Sequence, residues 1–147
     1  MKERTPTNDG PPDELAQASQ TVTRLRGLPG IDVDAGLAFV GNSVDVYARL
    51  LARFVQLHED DVHELVSRAE CADDSTLQQL VHSIKGGAAT LGVTGMARLA
   101  QQLEHATRQG GPRAHIVELA KAMEAGHAAL RSHLTERSDG GPPAQTG

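Results

Sequence analysis

Leu80-Val81-His82-Ser83-Ile84-Lys85-Gly86-Gly87-Ala88-Ala89-Thr90-Leu91 is the stretch from which the rest of the chain is read. Apolar residues at 77, 80, 81, 84, 88 and 91 recur at helical spacing, which predicts a helix running through both glycines. With about 100° of rotation per residue, these six positions cluster on one face. His82, Lys85, Gly86 and Ala89 then fall on the flank and the opposite side. The pattern describes a solvent-facing imidazole with a cation one turn away and a cleared surface around it. Each glycine costs roughly 1 kcal/mol relative to alanine in a helix interior, so a pair of them needs a reason. One reason is structural: glycine can end a helix or let another helix pack closely. The other is functional: no side chain stands beside His82 when something large docks there. The histidine and lysine on the same side favour the functional reason, at least for Gly86.

Outward from this stretch, composition narrows the fold. The 147 residues suffice for one domain plus tails. Only 2% are aromatic and none is tryptophan, so a core must be built from Leu, Val, Ile and Ala, which suits helix packing. The clusters of β-branched and aromatic residues that mark strands are scarce. A net charge of -5 and a pI near 5.7, with no basic patch, argue against nucleic acid as a partner. The single cysteine, Cys71, excludes an intrachain disulfide and offers no metal cluster. Residues 1–12 lack the apolar core of a signal peptide, and no apolar run approaches the roughly 20 residues that span a membrane. A cytoplasmic location is the expectation.

The chain divides into an N-terminal tail with a short helix (1–28), a helical body (29–135) and a disordered C-terminal tail (136–147). Within the first part, Leu15, Ala18, Val22 and Leu25 would line one side of a helix over 13–26. Asp32 is a candidate N-cap for a short helix over 33–40, closed by Gly41. Ser43 is a second N-cap candidate, followed by one long helix over 44–70, kinked near Glu59-Asp60-Asp61. The His82 helix is expected over 75–91, with Gly92 at its C-terminus. Thr94 would cap a helix over 95–109, and Gly110-Gly111-Pro112 would break the chain before a last helix over 112–135. Four main helices joined by short loops predict an all-α fold, an antiparallel up-down-up-down four-helix bundle with short N-terminal helices and disordered tails.

His82-Ser83-Ile84-Lys85-Gly86-Gly87-Ala88-Ala89-Thr90-Leu91-Gly92 resembles the motif of the histidine phosphotransfer (HPt) domain: His-x-Ile/Leu-Lys-Gly, small residues, then Leu/Phe-Gly. The likeness covers about residues 29–135. It is strongest to the N-terminal phosphotransfer domain of chemotaxis histidine kinases and the C-terminal one of hybrid sensor kinases. The resemblance implies a four-helix bundle without a cofactor, whose histidine exchanges a phosphoryl group with the aspartate of a response-regulator receiver domain. Magnesium would belong to the receiver. The partners implied are that receiver and an upstream histidine or hybrid kinase, with no nucleic acid and no membrane, and a monomeric carrier.

Each residue then has an expected part. A neutral imidazole nitrogen is a good nucleophile toward phosphorus and a good leaving group, so His82 can pass the group both ways. Lys85, one turn along, lies within reach of a phosphoryl group on His82 and would stabilise its charge. Glu104 flanks the apolar stripe of the next helix. In the chemotaxis-kinase relatives the glutamate at this motif spacing hydrogen-bonds the histidine, which implies the same for Glu104. Gln101, one turn earlier, is the substitute or a second polar neighbour. Gly86, Ala89 and Gln78 are the expected docking surface.

The same residues also admit plainer readings. Lys85 alone would be a solvated lysine, and Glu104 alone could pair with Arg108 at i+4. His58, His63, His105, His115, His127 and His133 read as ordinary surface residues. His58 and His63 suggest a zinc helix, but five residues place them about 140° apart rather than on one face. A decoy that binds a kinase or receiver without carrying phosphate is the alternative function, and an intact His82 and Lys85 speak against it. The chain has no Walker motif and, beyond the bundle, no length for an ATP-binding domain, so the phosphoryl group is expected from another protein.

Overall fold

The computed structural model describes residues 12–135, so residues 1–11 of the expected N-terminal tail and the whole tail expected over 136–147 lie outside the described residues. Seven helices follow one another: α1 (Pro12–Arg26), α2 (Val33–Phe39), α3 (Val44–Leu57), α4 (Glu59–Glu70), α5 (Asp74–Thr90), α6 (Thr94–Arg108) and α7 (Arg113–Thr135). No strand occurs among the described residues. Helix α4 packs on α5 and α7, and α6 packs on the same two, so these four surround one core. Helix α1 lies against α3 and α7 and puts Val22 and Leu25 into that core. Leu51, Leu65, Leu77, Ile84, Leu103, Ile116 and Met123 are fully buried, with Tyr47 as the largest side chain among them.

Most expected helix ends fall within a residue of those observed, because the caps are strong local signals. The Asp32 side chain accepts from the Ala35 N–H, Ser43 from Val46, and Asp73 from Thr76. Thr94 differs: Val93 is the N-cap, and Thr94 is already the first residue of α6.

The expected long helix over 44–70 is two helices. The break falls at His58, whose φ of -104° and ψ of 12° leave the helical range. Backbone hydrogen bonds continue across it, from the His58 N–H to Phe54 and from the Val62 N–H to His58. His58 is not a surface residue: it is buried, packs edge-on against Phe54 with ring centroids 5.0 Å apart, and pairs through Nδ1 with Asp61 at 2.9 Å. His127 is buried too, with Nε2 2.8 Å from the Val55 carbonyl. A carbonyl only accepts, so Nε2 carries the hydrogen there. His63 stays exposed and pairs with Glu124 of α7. His58 and His63 thus have different partners and do not converge, and no group of three potential metal ligands occurs among the described residues. No described helix is long and apolar enough to cross a membrane.

Helix α3, through Tyr47, and the start of α2, through Asp32, latch the end of α5. The Tyr47 hydroxyl donates to the Leu91 carbonyl at 2.8 Å, and the Asp32 N–H donates to the Gly92 carbonyl at 2.6 Å. Burial, with the charge of Asp32 adding to it and Arg26 opposing, pushes the Tyr47 hydroxyl up to about 12. A Cβ on Gly36 would fall on the Tyr47 ring and the Leu91 carbonyl, so only glycine lets α2 lie this close. Gly36→Ala is therefore expected to lower the unfolding free energy by about 1–3 kcal/mol. Tyr47→Phe, which removes the partner of the Leu91 carbonyl, should lower it by about 1–3 kcal/mol. Urea titration checks both; midpoints equal to the parent's would show that the latch contributes nothing.

Candidate functional site

Helix α5 carries the site because its inner face is committed to the core. Leu77, Val81, Ile84 and Ala88 are essentially inaccessible, which turns His82, Ser83, Gly86 and Ala89 outward. The helix ends where Gly92 takes φ +76°; the Val93 N–H bonds the Ala88 carbonyl at 2.8 Å and the Gly92 N–H the Ala89 carbonyl at 3.3 Å. These two bonds form the Schellman motif that satisfies the last carbonyls.

The His82 side chain is 78% exposed, and the carboxylate facing it, on Glu104 of α6, is 9% exposed. His82 Nδ1 lies 3.6 Å from Glu104 Oε2, an ion-pair distance a little beyond a direct hydrogen bond. The other oxygen, Oε1, accepts a hydrogen bond from Lys85 Nζ at 2.6 Å. Arg108 Nη2, one turn further along α6, is 3.7 Å from Oε2. One carboxylate thus gathers an imidazole, an ammonium and a guanidinium. The Lys85 hydrogen bond above all holds Glu104 below its usual 4.5, against the effect of burial; the charges of Lys85 and Arg108 and the His82 contact act the same way.

The two glycines separate. A Cβ on Gly87 would press on the Phe54 ring at 3.1 Å, so Gly87 serves the packing of α3 on α5. A Cβ on Gly86 would meet nothing within 4 Å, so no packing requires a glycine there. Ala89 is exposed. Gln78 is half-buried, and its Nε2 donates to Thr107 Oγ1 at 3.3 Å, while the Thr107 hydroxyl donates to the Glu104 carbonyl at 2.9 Å. Gln78 therefore braces α5 against the turn of α6 that carries Glu104. Gln101 is exposed, and no hydrogen bond joins it to His82 among the described residues. It lines an open cavity of about 740 Å³ together with Lys85, Glu104, His105, Arg108 and His115. Sequence reasoning missed Thr107 as a brace. It had Arg108 only as a competing partner for Glu104, and the i+4 spacing was the available signal.

The Hpt domain family model matches residues 49–136, more than half of the chain, and the chain belongs to that family. The match spans all of this geometry, from the second turn of α3 through α7. Among curated proteins and solved structures, none matches.

Two outcomes are expected. A carboxylate held below its unfolded value adds stability above that value and loses it as pH falls through the folded one. The stability difference between parent and Glu104→Gln should thus be constant above about pH 5.5 and shrink below about pH 4.5. A difference independent of pH, read from urea midpoints at pH 3 to 7, would mean that the Lys85–Glu104 pair adds nothing. Separately, Gly86→Gln should keep the fold and gain up to about 1 kcal/mol, since a helical glycine is replaced in open space. A fall in melting temperature would show that its backbone, not its clearance, matters.

Proposed function

We propose that this protein is the histidine phosphotransfer component of a two-component phosphorelay, an antiparallel up-down-up-down bundle that carries a phosphoryl group on His82. The single observation that supports it best is an exposed imidazole whose inner nitrogen faces a nearly buried carboxylate, in a chain of the Hpt domain family. With the hydrogen on Nδ1, turned toward Glu104, the outer Nε2 presents its lone pair to solvent.

In the forward direction Nε2 attacks the phosphorus of a receiver's aspartyl phosphate. The N–P bond forms as the acyl O–P bond breaks, and the aspartate leaves as a carboxylate. Nε2 bears no proton in this tautomer, so none is released. The ring keeps its Nδ1–H and gains positive charge, which the Glu104 carboxylate stabilises. The reverse transfer restores the neutral ring. Lys85 supplies positive charge to the phosphoryl oxygens in flight, where positioning and electrostatics do most of the work.

Receiver docking is assigned to the surface around Gly86 and Ala89, with Gln78 at its edge. The carrier binds no ATP and needs no metal of its own; magnesium acts on the receiver, and the group comes from an upstream histidine or hybrid kinase. A monomer in the cytoplasm suits this part.

Incubation with phosphorylated receiver domains tests the proposal. The parent should acquire an acid-labile, alkali-stable label, as a phosphoramidate does, and His82→Gln should acquire none. Equal labelling of the variant would overturn the assignment. Lys85→Ala should keep its helix content and slow single-turnover transfer by about 10- to 100-fold. An unchanged rate would make Lys85 an ordinary surface residue. In the same assay Gly86→Gln should impair transfer from a receiver more than from a small phosphodonor, which needs less clearance.

A further inference from the structure

Lys85 is asked to serve two anions. In the resting protein its ammonium is spent on Glu104 Oε1 at 2.6 Å, yet during transfer it is needed at the phosphoryl group on His82. That group sits on the outer nitrogen, away from Nδ1 and Glu104. A lysine that follows it therefore loosens its hold on a carboxylate only 9% exposed, just as further negative charge arrives nearby. A nearly buried carboxylate without a counter-ion tends to take up a proton, and a protonated Glu104 would stabilise the charged imidazole far less.

We propose that Arg108 is the reserve counter-ion of Glu104, closing on it when Lys85 turns to the phosphoryl group. This rests on the phosphotransfer reading of His82. Arg108 Nη2 stands 3.7 Å from Oε2, too far for a formed hydrogen bond and near enough to make one by a small side-chain rotation. Its side chain is 62% exposed and borders the open cavity beside the site, so space for that rotation exists. A guanidinium does not deprotonate, and its forked donors match a carboxylate. The groups that face Glu104 are His82 and Lys85 from α5 and Arg108 from α6, while His105 and His115 line the adjoining cavity from α6 and α7. Arg108 is thus a positioning residue: it acts on transfer through Glu104 and need not touch the phosphoryl group.

The first test needs no phosphate. The Glu104 carboxyl is titrated by carbon-13 NMR in the parent, Arg108→Gln, Lys85→Ala and the double variant. Removing Arg108 should raise the proton affinity of Glu104 little when Lys85 is present and several-fold more when Lys85 is absent. An equal effect in both backgrounds overturns the exchange, and so does none in either. A generic role at the helix end would be insensitive to Lys85. The second test measures the equilibrium between phosphorylated receiver and phosphorylated carrier. Arg108→Gln should shift it against the carrier by about two- to five-fold, the range for a partly exposed ion pair, and Arg108→Lys should restore most of it. A parent labelled on His82 with Arg108→Gln behaving identically sinks the inference alone. A parent not labelled on His82 sinks the phosphotransfer reading instead, while the NMR result still reports the exchange of partners.

Discussion

Burial of the inner face of α5 is the constraint on which the rest depends. Leu77, Val81 and Ile84 are almost wholly removed from water. Burying each is worth about 1.5–3 kcal/mol, against a combined cost of about 2 kcal/mol for two glycines in the same helix. The helix therefore persists through Gly86-Gly87 because its buried residues outweigh them. Because those side chains fix the rotation of α5 about its axis, His82 can only face outward. The latch at Leu91 and Gly92 fixes the helix along its length as well.

Helix α6 completes the site from the other side. Met96, Ala100, Leu103 and Ala106 are buried, and Glu104 lies beside Leu103 at the edge of that stripe. A carboxylate at such an edge loses much of its water while staying within reach of groups across the interface. Its lost hydration is replaced by the Lys85 hydrogen bond, with His82 and Arg108 at ion-pair distance. The same carboxylate that bonds Lys85 across the α5–α6 interface also faces the Nδ1 edge of the His82 ring.

The kink at His58 shows how a small core copes with few aromatic residues. Phe54 and His58 together fill space under α5, and Gly87 is small because Phe54 is there. Buried histidines replace bulk that other cores take from aromatic rings, here with one ring nitrogen of each paired. Asp61 serves His58 in this way, and the Val55 carbonyl serves His127. Treating both histidines as surface residues failed for this reason. Histidine is polar by type, but a ring with a single satisfied hydrogen bond packs as an aromatic.

The sequence by itself determined most helix ends and caps, the orientation of His82 and the family likeness, but not the division of 44–70 into two helices or the N-cap at Val93. Hydrophobic periodicity and capping are local, and Lys85 and Gly86 stand at fixed helical offsets from His82. Glu104 was also legible, as a polar residue at the margin of an apolar stripe, though its pairing with His82 came from the family resemblance. The tertiary structure alone decided the separate reasons for Gly86 and Gly87, the burial of His58 and His127, and the bracing of Gln78 on Thr107. It also decided that Lys85 rests on Glu104, with Arg108 3.7 Å from the other carboxylate oxygen. Each of these depends on the distance and rotation between helices far apart in sequence. Those quantities come from how whole faces pack, and no local spacing of residue types encodes them.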